Sequence, residues 1–378
     1  FVAWIIGWAL VLEYALAAAT VSIAWSEYLN NLLISFDIGA IPYQWCHSPM
    51  ETSLDGVQGI INLPALFILL ILSLILIKGT KESAMVNAII VFVKVAIVLL
   101  FIVLGWQFIK PENYEPFLIP AETVGHESFN RHGWGGVLGG AAIVFFAFIG
   151  FDAVSTAAQE AKNPKRDMPI GILGSLIICT ILYILFSRVL TGIANWEEFK
   201  TAGKEASVAY AIQTYMHGYT WLANLITVAI LAGFSSVILV MLMGQSRVFY
   251  SMSKDGLIPK VFSDVHPKFR TPYKSNMILF VFVGVFAGFI PGSMAGDLTS
   301  IGTLFAFVMV CAGIWVMRVK NPEAIRPFKT PLVPVVPVLG ILICAGMIFS
   351  LPQDTLLAAG AWMIVGLFIY FLYSKNHS

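Results

Sequence analysis

Residues 141–169 read AAIVFFAFIGFDAVSTAAQEAKNPKRDMP. An apolar run reaches Gly150, and Phe151, Asp152 and the pair Ser155/Thr156 follow at once. The run starts upstream at Trp134 and is glycine-rich there, with Gly135, Gly136, Gly139 and Gly140. A carboxylate at the centre of a membrane helix costs roughly 2.5–3.5 kcal/mol on insertion scales. Two readings are open. A continuous helix would use its glycines for close packing, since Gly is common in membrane helices. A discontinuous helix would make Phe146 to Ile149 a half-helix C-terminus with freed carbonyls and Ala153 onward a half-helix N-terminus. Such a break is tolerated at membrane depth only where it lines a cavity, and secondary transporters bind substrate at such breaks.

The rest of the chain fits that setting. Of 378 residues, 58% are hydrophobic and 11% charged, with a mean hydropathy of +0.85. Soluble domains carry about 25% charged residues, so an ordinary cytosolic enzyme and a disordered chain are excluded. Lys and Arg number 22 against 21 acids, which leaves no basic surplus for nucleic acid. Apolar spans fall near 4–29, 60–77, 84–109, 134–157, 170–191, 222–250, 275–291, 298–318, 334–351 and 354–374. A span needs roughly 20 apolar residues to cross about 30 Å of hydrocarbon. Lipid offers no partner to backbone N–H and C=O groups, so spans of this length are helices. A β-barrel would alternate in segments of about ten residues. The expected architecture is therefore an all-α polytopic membrane protein with ten transmembrane helices.

The basic residues are divided by side. Sixteen lie in one set of alternate loops, four in the other, and Lys94 and Arg188 within spans. The positive-inside rule puts the sixteen in the cytoplasm, with the first span running outward and the C-terminus cytoplasmic. Short loops fit a bacterial inner membrane. The chain opens at Phe1 about three residues before a span, which leads us to expect a missing N-terminal part. The histidines lie outside the spans, the four cysteines form no C-x-x-C pair, and no phosphate-binding P-loop occurs. No cofactor, metal or enzymatic chemistry is expected.

Some groups sit oddly in lipid. Lys94, in IIVFVKVAIVLL, is too far from either end of its span to snorkel. It is either a structural lysine bonded to carbonyls, or a proton-exchanging group or stand-in for a bound cation. Glu13, in GWALVLEYALAAATVSIAWSEYL, either bonds a neighbouring helix or contacts a cationic ligand. The small residues Ala15, Ala17, Ala18, Ala19 and Ser22 read as a close-packing face. Ser235 and Ser236 would ordinarily bond back to their own helical turn. Met241 suits packing as well as a pocket wall. Arg188, near the outer end of its span, is expected to snorkel.

Three stretches resemble one family. FFAFIGFDAVSTAAQEAKNPKRDMPIGI (145–172) resembles the sixth span and following loop of amino acid permeases. GQSRVFYSMSKDGLIP (244–259) resembles the end of their eighth span, and WIIGWALVLEYALAAATVSIAWSEYL (4–29) their third. The set resembles the amino acid–polyamine–organocation superfamily, within it the cationic amino acid transporter branch.

The resemblance implies a LeuT-like inverted-repeat fold lacking its first two spans. Residues 1–109 would finish the first repeat, 134–318 form the second, and 334–374 add two spans. It further implies Phe146 as an aromatic gate and the carbonyls of Phe146 and Ile149 as acceptors for the substrate ammonium. Gly150, Phe151 and Asp152 would line the break. Lys94 would take a sodium-site position in proton-coupled members, with Ser235 or Ser236 facing the same site. Glu13 would stand near the substrate side chain and Met241 on the pocket wall.

The implied activity is import of an amino acid by alternating access, coupled to protons. An exchanger of the same fold, or a non-transporting sensor or subunit on a carrier scaffold, remains open. The sequence leaves the amino acid and the oligomeric state unread.

Overall fold

The computed structural model describes residues 1–53, 55–79, 83–118, 133–150, 154, 163–201, 207–326 and 328–375. The expected spans coincide with apolar helices, that of 134–157 as far as the described residues go, to Gly150. These are α1 (Val2–Ser35), α2 (Leu63–Lys78), α3 (Ser83–Gly105), α4 (Gly133–Val144) with a 3-10 turn at Phe145–Phe148, and α5 (Pro164–Ile193). Two short helices, α6 (Glu198–Thr201) and α7 (Ser207–Tyr215), sit in the following loop. Then come α8 (Thr220–Lys254), α9 (Tyr273–Phe289), α10 (Gly292–Lys320), α11 (Val335–Phe349) and α12 (Gln353–Ile369), the last continuing into a π-turn. Among the described residues, extended pairing is limited to one bridge between Thr52 and Gln58.

Local chemistry sets the helix ends. Asn62 caps α2 by accepting the Ala65 N–H at 3.1 Å, with Pro64 in the first turn, where a missing N–H costs nothing. The Asn62 N–H itself donates to Gly288 O on α9, so the cap also fixes the α2–α9 contact. Gly79 ends α2 at φ +103°, a conformation that side chains resist.

The first helix is the centre of the bundle. It packs most extensively on α8 and α10, and also meets α2, α9 and α12. Its small face is why: Ala15, Ala18 and Ala19 are fully buried, letting neighbouring backbones approach. Tyr14 and the alanines share one core with Leu69, Ile238, Met241 and Val283. A second core joins α3, α5, α7 and α8 through Phe101, Val189, Ile212 and Leu222.

The outer faces are the reverse. Phe92, Val103, Ile177, Ile184, Leu342 and Phe368 are all more than half exposed. Apolar surface on that scale belongs against lipid. Arg188 is exposed, and its guanidinium lies over the rings of Trp106 (5.8 Å) and Tyr114 (6.0 Å). In the loop beyond α5, the Tyr215 hydroxyl donates to Glu198, which pushes the phenol pKa up to about 12.

Indoles staple α12 to α1. Trp8 Nε1 donates to Trp362 O at 2.9 Å, and Trp362 Nε1 returns a bond to Trp8 O at 3.2 Å. Their rings stack at 4.5 Å, and Trp4 Nε1 donates to Gly366 O at 3.0 Å. A methyl on Gly366 would fall inside the rigid Trp8 indole. Gly366→Ala should therefore destabilise by about 1–3 kcal/mol of overpacking. That outweighs the ~1 kcal/mol that alanine gains in a helix. Thermal unfolding in detergent checks this: an unchanged or higher midpoint would contradict the tight contact.

Candidate functional site

The apolar run from Trp134 ends as a helix before Gly150. α4 tightens into the 3-10 turn Phe145–Phe148, Ile149 is extended (φ −63°, ψ 136°), and Gly150 takes φ +120°. The described chain thus leaves the helix at this point. Phe151 and Asp152 lie outside the described residues.

The break frees carbonyls, and two of them have identified partners. Ala147 O accepts the Tyr183 hydroxyl of α5 at 2.7 Å. Phe146 O accepts the Ile149 N–H at 3.1 Å. A carbonyl has two lone pairs, so Phe146 O retains capacity for a second donor.

Phe146 and Ile149 pack against the core of Tyr14, Ala17–Ala19, Ile238 and Met241. A Cβ built on Gly150 would stand 3.4 Å from Met241 Cε, in ordinary contact. The break therefore faces α8 at Met241, and four of the expected substrate residues (Phe146, Ile149, Gly150 and Met241) come together.

Lys94 meets the same helix elsewhere. The half-buried side chain crosses α8 at Gly233, where a Cβ would lie 2.8 Å from Lys94 Cδ and 3.5 Å from Nζ. Only a glycine there leaves room for the lysine stem. Gly233 and Met241 are eight residues apart, about 12 Å along the axis. Ser235 lies half a turn from Gly233, and its hydroxyl donates back to Leu231 O at 2.8 Å. Ser236 is buried beside it.

Glu13 is fully buried in the α1–α10 seam. A Cβ on Gly302 of α10 would stand 3.6 Å from the Glu13 backbone nitrogen. Its helix also faces α8, for Gly244 lies against the Tyr14 ring. Tyr14, next to Glu13, thus meets α8 about one turn along from Met241.

A cavity of about 840 Å³ adjoins the other side of the break. It is lined by Val144, Ala147 and Phe148 together with Tyr183, Ile184 and Ser187 of α5. Phe146, Ile149 and Met241 are not part of its wall. No three His, Cys, Asp or Glu side chains converge as a metal site among the described residues.

Tyr183 and Gly233 are the residues that sequence reasoning missed. Gly233 stands two places before Ser235 in ILAGFSSV, a position that hints at a close approach without naming what approaches. Tyr183 carries no local signal, because its partner is 36 residues away.

Apolar helices of spanning length around a buried small-residue helix define a polytopic, all-helical membrane protein. Residues 1–373 match the family described as amino acid permease, and the chain belongs to that family, within the amino acid–polyamine–organocation superfamily. It is 42% identical over 376 residues to the branched-chain amino acid permease BcaP of Bacillus subtilis (strain 168), covering 100% of this chain and 77% of the relative. It is 39% identical over 381 residues to the methylthioribose transporter of the same organism, with the same coverage. It is 34% identical over 316 residues to a chloroplastic cationic amino acid transporter of Arabidopsis thaliana, covering 83% of this chain and 52% of the relative. These relatives are transporters rather than enzymes.

Proposed function

We propose that this chain imports an amino acid by alternating access, driven by protons, across a bacterial inner membrane with its C-terminus in the cytoplasm. The fold is LeuT-like, with residues 1–109 and 134–318 belonging to two inverted repeats and 334–374 to two added spans. The observation that carries this reading is the break at Ile149–Gly150 facing Met241, with Lys94 laid across the same helix α8 at Gly233. A broken helix offers backbone groups to a zwitterion without any dedicated charged side chain.

The substrate is an α-amino acid with an apolar side chain. The identified wall is Phe146, Ile149 and Met241, and the 42% identical relative is named for branched-chain amino acids. Phe146 closes over the bound substrate, and its carbonyl and that of Ile149 accept the ammonium. Phe151 and Asp152, which follow Gly150 in sequence, are further candidates for substrate contact. Lys94 exchanges the coupling proton, with Ser236, three residues on from Gly233, closer to its face of α8 than Ser235. Glu13 sets the shape of the seam beside the side-chain pocket.

Proteoliposomes decide the matter. Labelled leucine should accumulate under an inward proton gradient, with lysine and methylthioribose as weak competitors and with choline replacing sodium without loss. Counterflow with no gradient-driven accumulation would make the chain an exchanger. Binding with neither would favour a sensor or subunit.

A further inference from the structure

At the far end of α10 a second cavity, of about 400 Å³, has a different chemistry. Its wall includes Ile314, Met317, Arg318, Arg326, Phe328 and Thr330. The segment from 318 to 330 carries Arg318, Lys320, Arg326 and Lys329 against one acid, Glu323. No ion pair to either arginine occurs among the described residues.

The two arginines do different work. Arg326 closes the end of α10, donating to the carbonyls of Met317, Asn321, Pro322 and Ala324 at 2.6–3.2 Å. Those four bonds engage four of its five N–H groups. Arg318 makes one long bond, to Thr330 O at 3.3 Å, among the described residues. Its planar fork therefore keeps donors for an anion, and guanidinium matches phosphate in a bidentate way.

The other half of the cavity is apolar and continues down the helix. Val310, Ile314 and Met317 recur at helical spacing on one face, 44%, 37% and 51% exposed. An apolar stripe that ends in two cations fits an amphiphile with an anionic head. It does not fit a soluble anion, which would leave the stripe unused. The loop lies on the side that holds sixteen of the basic residues, where anionic headgroups attract Lys and Arg.

We propose that the Arg318/Arg326 pocket binds the phosphate of an anionic phospholipid, whose acyl chain lies along Val310, Ile314 and Met317. The site is about lipid and does not depend on which solute the protein carries.

Native mass spectrometry of the purified protein tests it, with phosphatidylglycerol, phosphatidylcholine or inorganic phosphate added to neutral detergent micelles. Phosphatidylglycerol should occupy the protein about fivefold more than phosphatidylcholine, the weight of one interfacial cation. R318Q should bring it down to the phosphatidylcholine level, while K329Q, a loop cation outside the pocket wall, leaves it unchanged. If R318Q melts early without lipid, R318K replaces it: charge is kept, the fork is lost, and occupancy should still fall. Equal binding of both lipids, equal loss in K329Q, or full competition by inorganic phosphate would each overturn the proposal.

Discussion

Lys94→Ala should abolish proton-driven accumulation of leucine, by about 100-fold or ~2.7 kcal/mol on the transport step, while counterflow of bound substrate persists. Folding is not the obstacle. A lysine at membrane depth costs roughly 2.5–3.5 kcal/mol on insertion, so its removal relieves a penalty and the variant should express and melt like the parent. What is lost is the stem packed on Gly233. Gly233→Ala in the same variant has room for its methyl and should recover that packing without recovering coupling. The pair of variants thus separates a structural lysine from a coupling one. Uptake in reconstituted vesicles at several imposed pH gradients is the measurement. A Lys94→Ala protein that still concentrates leucine with full proton dependence would remove Lys94 from the mechanism.

Much of this molecule was legible because its solvent is simple. In lipid, apolar length fixes helices, so the second span was read as 60–77 and is α2, Leu63–Lys78. The helices outrun the apolar spans where polarity and helix coexist. The eighth span was expected from 298, yet α10 starts at Gly292, because Pro291 opens a helix that runs through Asp297. The first was expected to stop at 29, yet α1 continues to Ser35. The loop after α5 holds α6 and α7, which are too short and polar for a hydropathy argument to find.

The site divides in the same way. Gly150 announced itself by its place between an apolar run and Asp152. The partners did not. That Met241 faces Gly150, that Gly233 yields to Lys94 and that Tyr183 takes the Ala147 carbonyl are consequences of packing between separate helices. Periodicity in one helix tells which face is apolar, and nothing in it tells which distant residue arrives there.

Gly150→Ala is expected to lower uptake by about 10- to 100-fold, through the backbone rather than through crowding. At φ +120° Gly150 occupies a region that an L side chain resists, at a cost of order 1–3 kcal/mol. The added methyl itself would meet Met241 Cε at 3.4 Å, an ordinary contact. Alanine can therefore be seated but cannot hold the angle, and the relaxation rotates the Ile149 and Gly150 peptide groups. If those groups meet the substrate ammonium, the loss appears in apparent affinity as well as rate. The two causes are separable by Met241→Ala, which empties the space around the new methyl. A steric defect would leave the Gly150→Ala/Met241→Ala double variant no worse than Met241→Ala alone, whereas a backbone defect lowers it further by the full factor. Normal uptake by Gly150→Ala alone would mean that the broken helix is not where substrate binds, and the search would move to the cavity between α4 and α5.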